Sequence, residues 1–365
     1  MTPTETLHDL TSRRRLPVET LANPVMDLCL ALWSALGGDD KTSAHELGND
    51  WYRSFAESLP ERAVEQMSEL GLGTGHLWVL VASVLAADGP NTSEPEELLG
   101  WLETGDLRGL HAHLLDDRDA DADVLEAAKA GDEEAIAQVC CDVDDVKRPA
   151  VEAVLATPVE RLGPGIASVL REIRRVSFAP FEMSWIRALT ASGRSTRTLA
   201  GTLDPEALIE RVSNGIAYDI PFGTSKLVLI PSVGIRPWTL VSGAGNALVV
   251  FYPVADEHLD ADPDSPPRWL VSLHKALGDE RRLRMLRRIA ESEVGLAELT
   301  DLLGLAKSTV FHHIGVLRSA GLVRVRLADE TTPTYTLRSD VLEDARGMLD
   351  DYLRPPRRAA EEGSR

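Results

Sequence analysis

The chain has 365 residues, a formal net charge of −20, 44% hydrophobic residues and three cysteines. That length allows two or three domains with ample core, and Cys29, Cys140 and Cys141 offer neither a disulfide framework nor zinc-type spacing. The acidity is uneven: residues 1–267 hold 21 Lys+Arg against 43 Asp+Glu, residues 268–365 hold 17 against 15, and residues 268–326 hold 11 against 6.

At the N-terminal end, Arg13-Arg14-Arg15 leads into a mixed segment rather than an apolar run of secretory type. The longest apolar stretch, Leu77 to Ala87, is too short to span a bilayer and reads as a buried helix. A cytoplasmic protein with no membrane partner is expected. From Leu16 to about Val212 the pattern is mostly helical, with apolar residues at helical spacing in Val25-Leu28-Leu32-Leu36, Trp51-Phe55-Leu59, Leu77-Leu80-Val84 and Ile166-Leu170-Ile173. The pattern then changes to strands: Ile216–Ile220, Lys226–Ile230, Trp238–Val241 and Ala247–Tyr252. Ser242-Gly243-Ala244-Gly245-Asn246 is a hairpin turn between the last two, so a small antiparallel sheet is expected. Residues 256–267 carry five carboxylates and three prolines, the composition of an extended, self-repelling linker.

The next segment is the most informative. Leu273, Leu277, Leu283, Leu286 and Ile289 carry an apolar stripe through two helices, broken at Gly278-Asp279, where Asp279 can cap the second. A third helix runs from about Leu296 to Leu303, with Gly304 suited to the left-handed position after it. In the fourth, Lys307 to Arg318, Val310, Ile314 and Leu317 share one face and should lock onto a core. Ser308, His312, Gly315 and Ser319 lie opposite, with Lys307 and Phe311 on the shoulder. Leu322–Leu327 alternates apolar and basic residues, and Thr334–Leu337 returns as a second strand. That order is a winged helix–turn–helix, which lays one helix into the DNA major groove. Ser308, Phe311 and His312 are candidates for base contacts, and Lys307, Arg318, Arg324 and Arg326 for phosphates. Leu342, Ala345, Leu349 and Leu353 then form a packing or dimer stripe on a closing helix, and residues 354–365 read as a disordered tail.

The segment Ala276–Leu286 and, more specifically, Gly304-Leu305 followed by Ser308-Thr309-Val310-x-His312-His313-x-x-Val316-Leu317-Arg318-x-Ala320-Gly321-Leu322-Val323 resembles the ArsR/SmtB family of winged-helix repressors. The resemblance covers about the last quarter of the chain. It implies that Lys307, Ser308, Thr309, Phe311 and His312 belong to the DNA-facing helix and that the outer helices of the module build a homodimer. The family's Cys-x-Cys metal box has no counterpart here, because Glu293–Glu298 holds no thiolate. At 311 a small polar residue is replaced by Phe, and Gly315 stands where a basic residue is usual, which loses a phosphate contact and adds about 1 kcal/mol of helix strain. Asn214-Gly215-Ile216, Leu229-Ile230-Pro231-Ser232, Arg236-Pro237-Trp238 and Tyr252-Pro253 are similar to the long N-terminal domain of uncharacterised function that precedes ArsR-type modules in many actinobacterial regulators.

Other constellations read more simply. Gly243-Ala244-Gly245 lacks the helix and Lys-Ser/Thr of a phosphate loop. His111 and His113, near Asp116 and Asp117, diverge if they lie on one helix. Cys140-Cys141 reads as small buried residues or inert surface groups rather than a redox sensor. Arg174, Arg175, Arg194 and Arg197 are expected in salt bridges, and Trp185 and Trp238 in the core.

The expected class is therefore α+β. A mainly helical N-terminal domain with a small antiparallel sheet occupies residues 1–255, the linker 256–267, the winged helix–turn–helix 268–353 and the tail 354–365. The expected function is an ArsR-like transcriptional regulator, a homodimer on inverted-repeat double-stranded DNA, with an unknown effector at the N-terminal domain. No catalytic residue, metal or cofactor is expected. The rivals are a protein-interaction adaptor and an enzyme domain fused to a DNA-binding module.

Overall fold

The computed structural model describes residues 16–37, 45–104, 108–115, 120–143, 145, 147–259, 266, 268–327, 332–338, 349–350 and 352–353. After a short strand β1 (Val18–Thr20), Asn23 accepts a hydrogen bond from the Val25 amide (2.9 Å) and Pro24 opens helix α1 (Pro24–Leu36). Val25 to Leu32 is buried on every side, so α1 is the central helix of the N-terminal core. Helices α2 (Asn49–Glu57), α3 (Glu61–Glu69), α4 (Trp78–Asp88), α5 (Pro95–Thr104), α6 (Arg108–Leu115), α7 (Ala122–Lys129), α8 (Glu133–Val139) and α9 (Arg148–Ala156) follow. The amphipathic α10 (Val159–Ile173) runs through a π-turn at Arg174–Phe178 into α11 (Ala179–Ala200), and α12 (Pro205–Val212) completes the set.

The first sheet is mixed rather than the expected antiparallel one. Its order is β1-β3-β5-β4, with β3 (Lys226–Ser232) parallel to both β1 and β5 (Ala247–Pro253), and only β4 (Leu240–Ala244) antiparallel. The reason is double-sided burial. Val228, Ile230, Val249 and Phe251 face the main helical core, while Leu227, Leu229, Leu248, Val250 and Tyr252 pack with Leu208 and Ile209 of α12. Continuous apolar runs covered on both faces are the mark of parallel strands. The expected hairpin between β4 and β5 is present, with Gly245 at φ 53°. Strand β1 lies inside the stretch expected to be helical.

The C-terminal module has α13 (Arg268–Leu277), α14 (Glu280–Glu291), β6 (Val294–Gly295), α15 (Leu296–Leu303), α16 (Lys307–Ser319), β7 (Val323–Leu327) and β8 (Thr334–Leu337). Asp279 caps α14 by accepting from the Arg281 and Arg282 amides at 2.8 and 3.2 Å, and Gly304 ends α15 at φ 63°. Both match the residues' intrinsic preferences. Its sheet is not self-contained: the order is β2-β7-β8-β6, and β2 (Ile216–Tyr218) is donated by the N-terminal region.

The start of the expected linker is folded rather than extended. Asp256–His258 forms a 3₁₀ turn, and Asp256 and Glu46 both pair with Arg236. The wing tip at 328–331, the stripe residues Leu342 and Ala345, Asp116 and Asp117, Arg13–Arg15, most of the linker and the tail lie outside the described residues. No helix among the described residues is long and apolar enough to cross a membrane.

Candidate nucleic-acid interface

Helix α16 is held by its apolar stripe. Val310, Ile314 and Leu317 are buried in one cluster with Met285, Ile289, Leu299, Leu322 and Tyr335. His313 is buried beside them, neither ring nitrogen has a hydrogen-bond partner, and desolvation lowers its pKa, which fits the neutral form. Opposite the stripe the two ends of the helix differ. At the N-terminal end Lys307, Ser308, Thr309, Phe311 and His312 are all exposed, and Phe311 keeps 53% of its surface. Ala306 precedes the helix without a side-chain cap, so the first-turn amides point outward with the positive end of the helix dipole.

The C-terminal end is covered by the N-terminal region. A turn at Ile235–Trp238, containing a cis Arg236–Pro237 peptide, carries the Trp238 ring to α16. That ring lies parallel to Phe311, with centroids 6.5 Å apart and planes 3° from coplanar. A Cβ built on Gly315 would fall inside contact distance of Trp238 Cη2 and 3.0 Å from Cζ3. Glycine at 315 is therefore the seat for an indole rather than a missing basic contact.

Arg318 is not available to phosphate in this arrangement. It is 5% exposed, its guanidinium carbon lies 5.4 Å from the Trp238 ring centroid, and it donates to Ser213 O (3.3 Å) and Pro237 O (2.9 Å). Desolvation lowers its pKa to about 10, so it remains a cation at neutral pH. Cation–π contact and charge-assisted hydrogen bonds to neutral carbonyls stabilise it there.

The wing arginines are engaged as well. The chain leaves α12 through Asn214 (φ 57°) and Gly215 (φ 103°), and Val325 N donates to Gly215 O at 2.8 Å. Strand β2 then pairs in parallel with β7, setting Ile216 opposite Val325 and Ala217 opposite Arg326. Asn214 donates to Ser319 O (3.2 Å) and accepts from Arg338 (3.1 Å). Arg324 forms an ion pair with Glu210, and Arg326 lies 3.8 Å from Asp219.

The expected residues thus separate into an open group (Lys307, Ser308, Thr309, Phe311, His312), two surface arginines with carboxylate partners (Arg324, Arg326) and one buried arginine (Arg318). Sequence reasoning missed Trp238, Asn214, Glu210 and Asp219 as neighbours of the module. Gly315 was the available clue, a mid-helix glycine that only a close approach explains.

Elsewhere, His111 Nε2 meets Val154 O at 3.0 Å and is structural. Of the arginine cluster, Arg174 pairs with Glu96 and Glu182 as expected, whereas Arg197 donates to the Thr20 carbonyl at 3.3 Å. Trp185 lies 5.7 Å from Trp51 in a stacked pair and also lines a cleft of about 180 Å³ with Glu46, Ser184, Val233, Arg236 and Leu259.

Residues 279–325 match the family described as "Bacterial regulatory protein, arsR family". The chain is 39% identical over 69 residues to the "Transcriptional activator HlyU" of Vibrio cholerae, covering 19% of this chain and 63% of that protein. It is 34% identical over 86 residues to the "HTH-type transcriptional regulator KmtR" of Mycobacterium tuberculosis, covering 24% and 65%. The chain thus spans less than two thirds of each of these curated relatives. A solved structure of reduced HlyU from Vibrio cholerae aligns at 32% identity over 24% of this chain and 90% of that one, with a TM-score of 0.19.

Proposed function

From an ArsR-family helix–turn–helix regulatory domain joined to a distinct N-terminal region, we propose a transcriptional regulator that binds operator DNA through α16. The observation that carries this reading is the open first half of that helix, where Lys307, Ser308, Thr309, Phe311 and His312 are exposed over a stripe fully committed to core. The chemistry suits a duplex. The uncapped amides of the first turn favour a phosphate, and Lys307 adds a mobile charge. Ser308, Thr309 and His312 can hydrogen-bond base edges, and Phe311 can cover a thymine methyl. Two copies would read an inverted repeat, with half-sites about 10 base pairs apart from centre to centre.

The N-terminal region would supply the signal. The cleft beside Trp185 is the place for an effector, because Arg236 in its wall stands two residues before Trp238, whose ring packs against Gly315 of α16. An occupant that favours one position of that turn would shift the head's availability.

Selection of bound fragments from a genomic DNA pool, followed by footprinting, tests the proposal. Protection of an inverted repeat that is lost in His312→Ala, with the melting temperature unchanged, is the expected result. A full-length protein that retards no duplex at low ionic strength would overturn it and leave the module as a protein-binding surface.

A further inference from the structure

We infer that the N-terminal region competes with DNA for the reading head, so that the arrangement described here is a closed form in which Glu210 and Asp219 stand in for phosphates and Trp238 screens part of the reading face. The inference rests on the DNA-binding reading and adds the regulation of that site.

Three independent contacts converge on the head, all from residues 210–238. The first is steric. Trp238 touches α16 at 311, 315 and 318, an i, i+4, i+7 set that forms one face of a helix. A duplex lying along the whole length of α16 would meet the indole beside Phe311.

The second contact is electrostatic. Arg324 and Arg326 alternate on one face of β7, where a winged helix offers cations to a DNA backbone. Here each faces a carboxylate of the N-terminal region, Glu210 and Asp219 respectively. These pairs are half solvated, with Arg324 46% and Arg326 59% exposed. Pairs of that kind contribute little individually and exchange partners readily. A phosphate can therefore replace each carboxylate without exposing a buried charge.

The third contact is topological. The β7 edge would be open in a module folded by itself, and β2 closes it with three paired residues. A three-residue strand is a light attachment compared with the seven-residue pairing of β3 with β5. Closure combines one buried anchor, Arg318, with a rim of weak contacts. That combination holds the head at rest yet lets a polyanion compete for the rim. The formal charge of −22 on residues 1–267 adds repulsion toward any duplex approaching the closed form.

The test uses full-length protein and a mixed-sequence duplex three helical turns long, titrated across salt. Glu210→Gln with Asp219→Asn frees both wing arginines. Each recovered phosphate contact steepens the slope of log K against log salt by about 0.9, so the double variant should be steeper than wild type by about two. Between about 50 and 200 mM salt it should lose roughly tenfold more affinity than wild type does, while binding more tightly at the lower salt. Glu65→Gln with Glu69→Gln on α3, a helix that packs on α10, removes the same charge without touching either wing arginine's partner and should leave the slope unchanged. Gly315→Ala displaces Trp238 without altering charge, and should tighten binding as well.

Equal slopes for wild type and the Glu210/Asp219 variant, with measurable binding by both, would overturn the competition alone. An effect of the same size from the Glu65/Glu69 pair would also overturn it, by reducing it to net charge. No retardation by any of these proteins would overturn the DNA-binding reading and the competition with it.

Discussion

The two ends of α16 share one amphipathic pattern and have different fates. At Lys307–His312 the side chains opposite the core meet solvent, whereas at Gly315–Ser319 the same helical side meets Trp238, Pro237 and Asn214. A hydrophobic stripe states which side of a helix faces its own module. It does not state whether the other side faces water, nucleic acid or a distant part of the same chain. The sealed end is a contact between the N-terminal region and the module, built on one glycine and one tryptophan, and the open end is the surface proposed to read DNA.

Substitutions at the sealed end should have the largest effect. Arg318→Ala removes the donor for two carbonyls in the contact and empties the space beside the indole, at a cost of about 2–4 kcal/mol. Calorimetry should then show the C-terminal module melting apart from the N-terminal region. A single unchanged transition would mean that Arg318 does not anchor the contact.

A second probe lies beneath the Trp238 turn. Asp27 is fully buried, accepting hydrogen bonds from Ser232, Val233 N (2.9 Å) and Gly234 N (3.1 Å), and Tyr52, bonded to His45, donates to Gly234 O at 2.9 Å. Burial raises the Asp27 carboxyl from 3.8 to about 6 and lowers His45 from 6.5 to about 4. For Asp27 the folded state holds the extra proton between about 4 and 6, so its contribution to stability falls as pH rises through that window. For His45 the unfolded chain holds the extra proton between about 4 and 6.5, so its contribution rises. The two oppose each other, so their joint contribution should be nearly flat across that range, and the lowered His111 and His313 add a rise of their own. Relative to wild type, His45→Gln in urea unfolding should lose up to about 3 kcal/mol between pH 4 and 6. Asp27→Asn should reveal the opposite slope. If neither variant's slope departs from that of wild type, burial does not shift these two groups.

A smaller change is expected from Gly315→Ala. The methyl gains about 1 kcal/mol of helix propensity but overpacks against Trp238 by about 1–3 kcal/mol. The net loss should be about 1 kcal/mol, localised by hydrogen exchange to β2 and β7. Faster exchange confined to α16 would argue against the wedge.

At the open end the smallest effect is expected. Lys307→Ala should weaken binding to all duplexes alike and reduce the salt slope by about one, with no change in melting temperature. A sequence-dependent loss would move Lys307 from backbone to base contact.

Much of the head was legible in sequence because its determinants are local. Asp279 as a cap, Gly304 in the left-handed conformation, the Val310-Ile314-Leu317 stripe and the alternation of β7 depend on residues within a few positions of one another. The N-terminal sheet was harder. Its strands were recognisable, yet their parallel pairing depends on α12 covering the second face, and no local pattern records that. The candidate site divides along the same line: the exposed residues 307–312 were readable, and the partners of Arg318, Arg324 and Arg326 were not.

The sequence by itself determined an ArsR-type head, the face of α16 that packs inward and the acidity of everything before it, since periodicity, capping and charge are properties of neighbouring residues. Only the tertiary structure decided that a strand from residues 216–218 completes the wing, that Trp238 sits on Gly315 and that the arginines expected at phosphates meet Glu210, Asp219 and backbone carbonyls. Those contacts join positions about 80 to 115 residues apart. Their formation depends on the shape of two folded surfaces, which no window of neighbouring residues encodes.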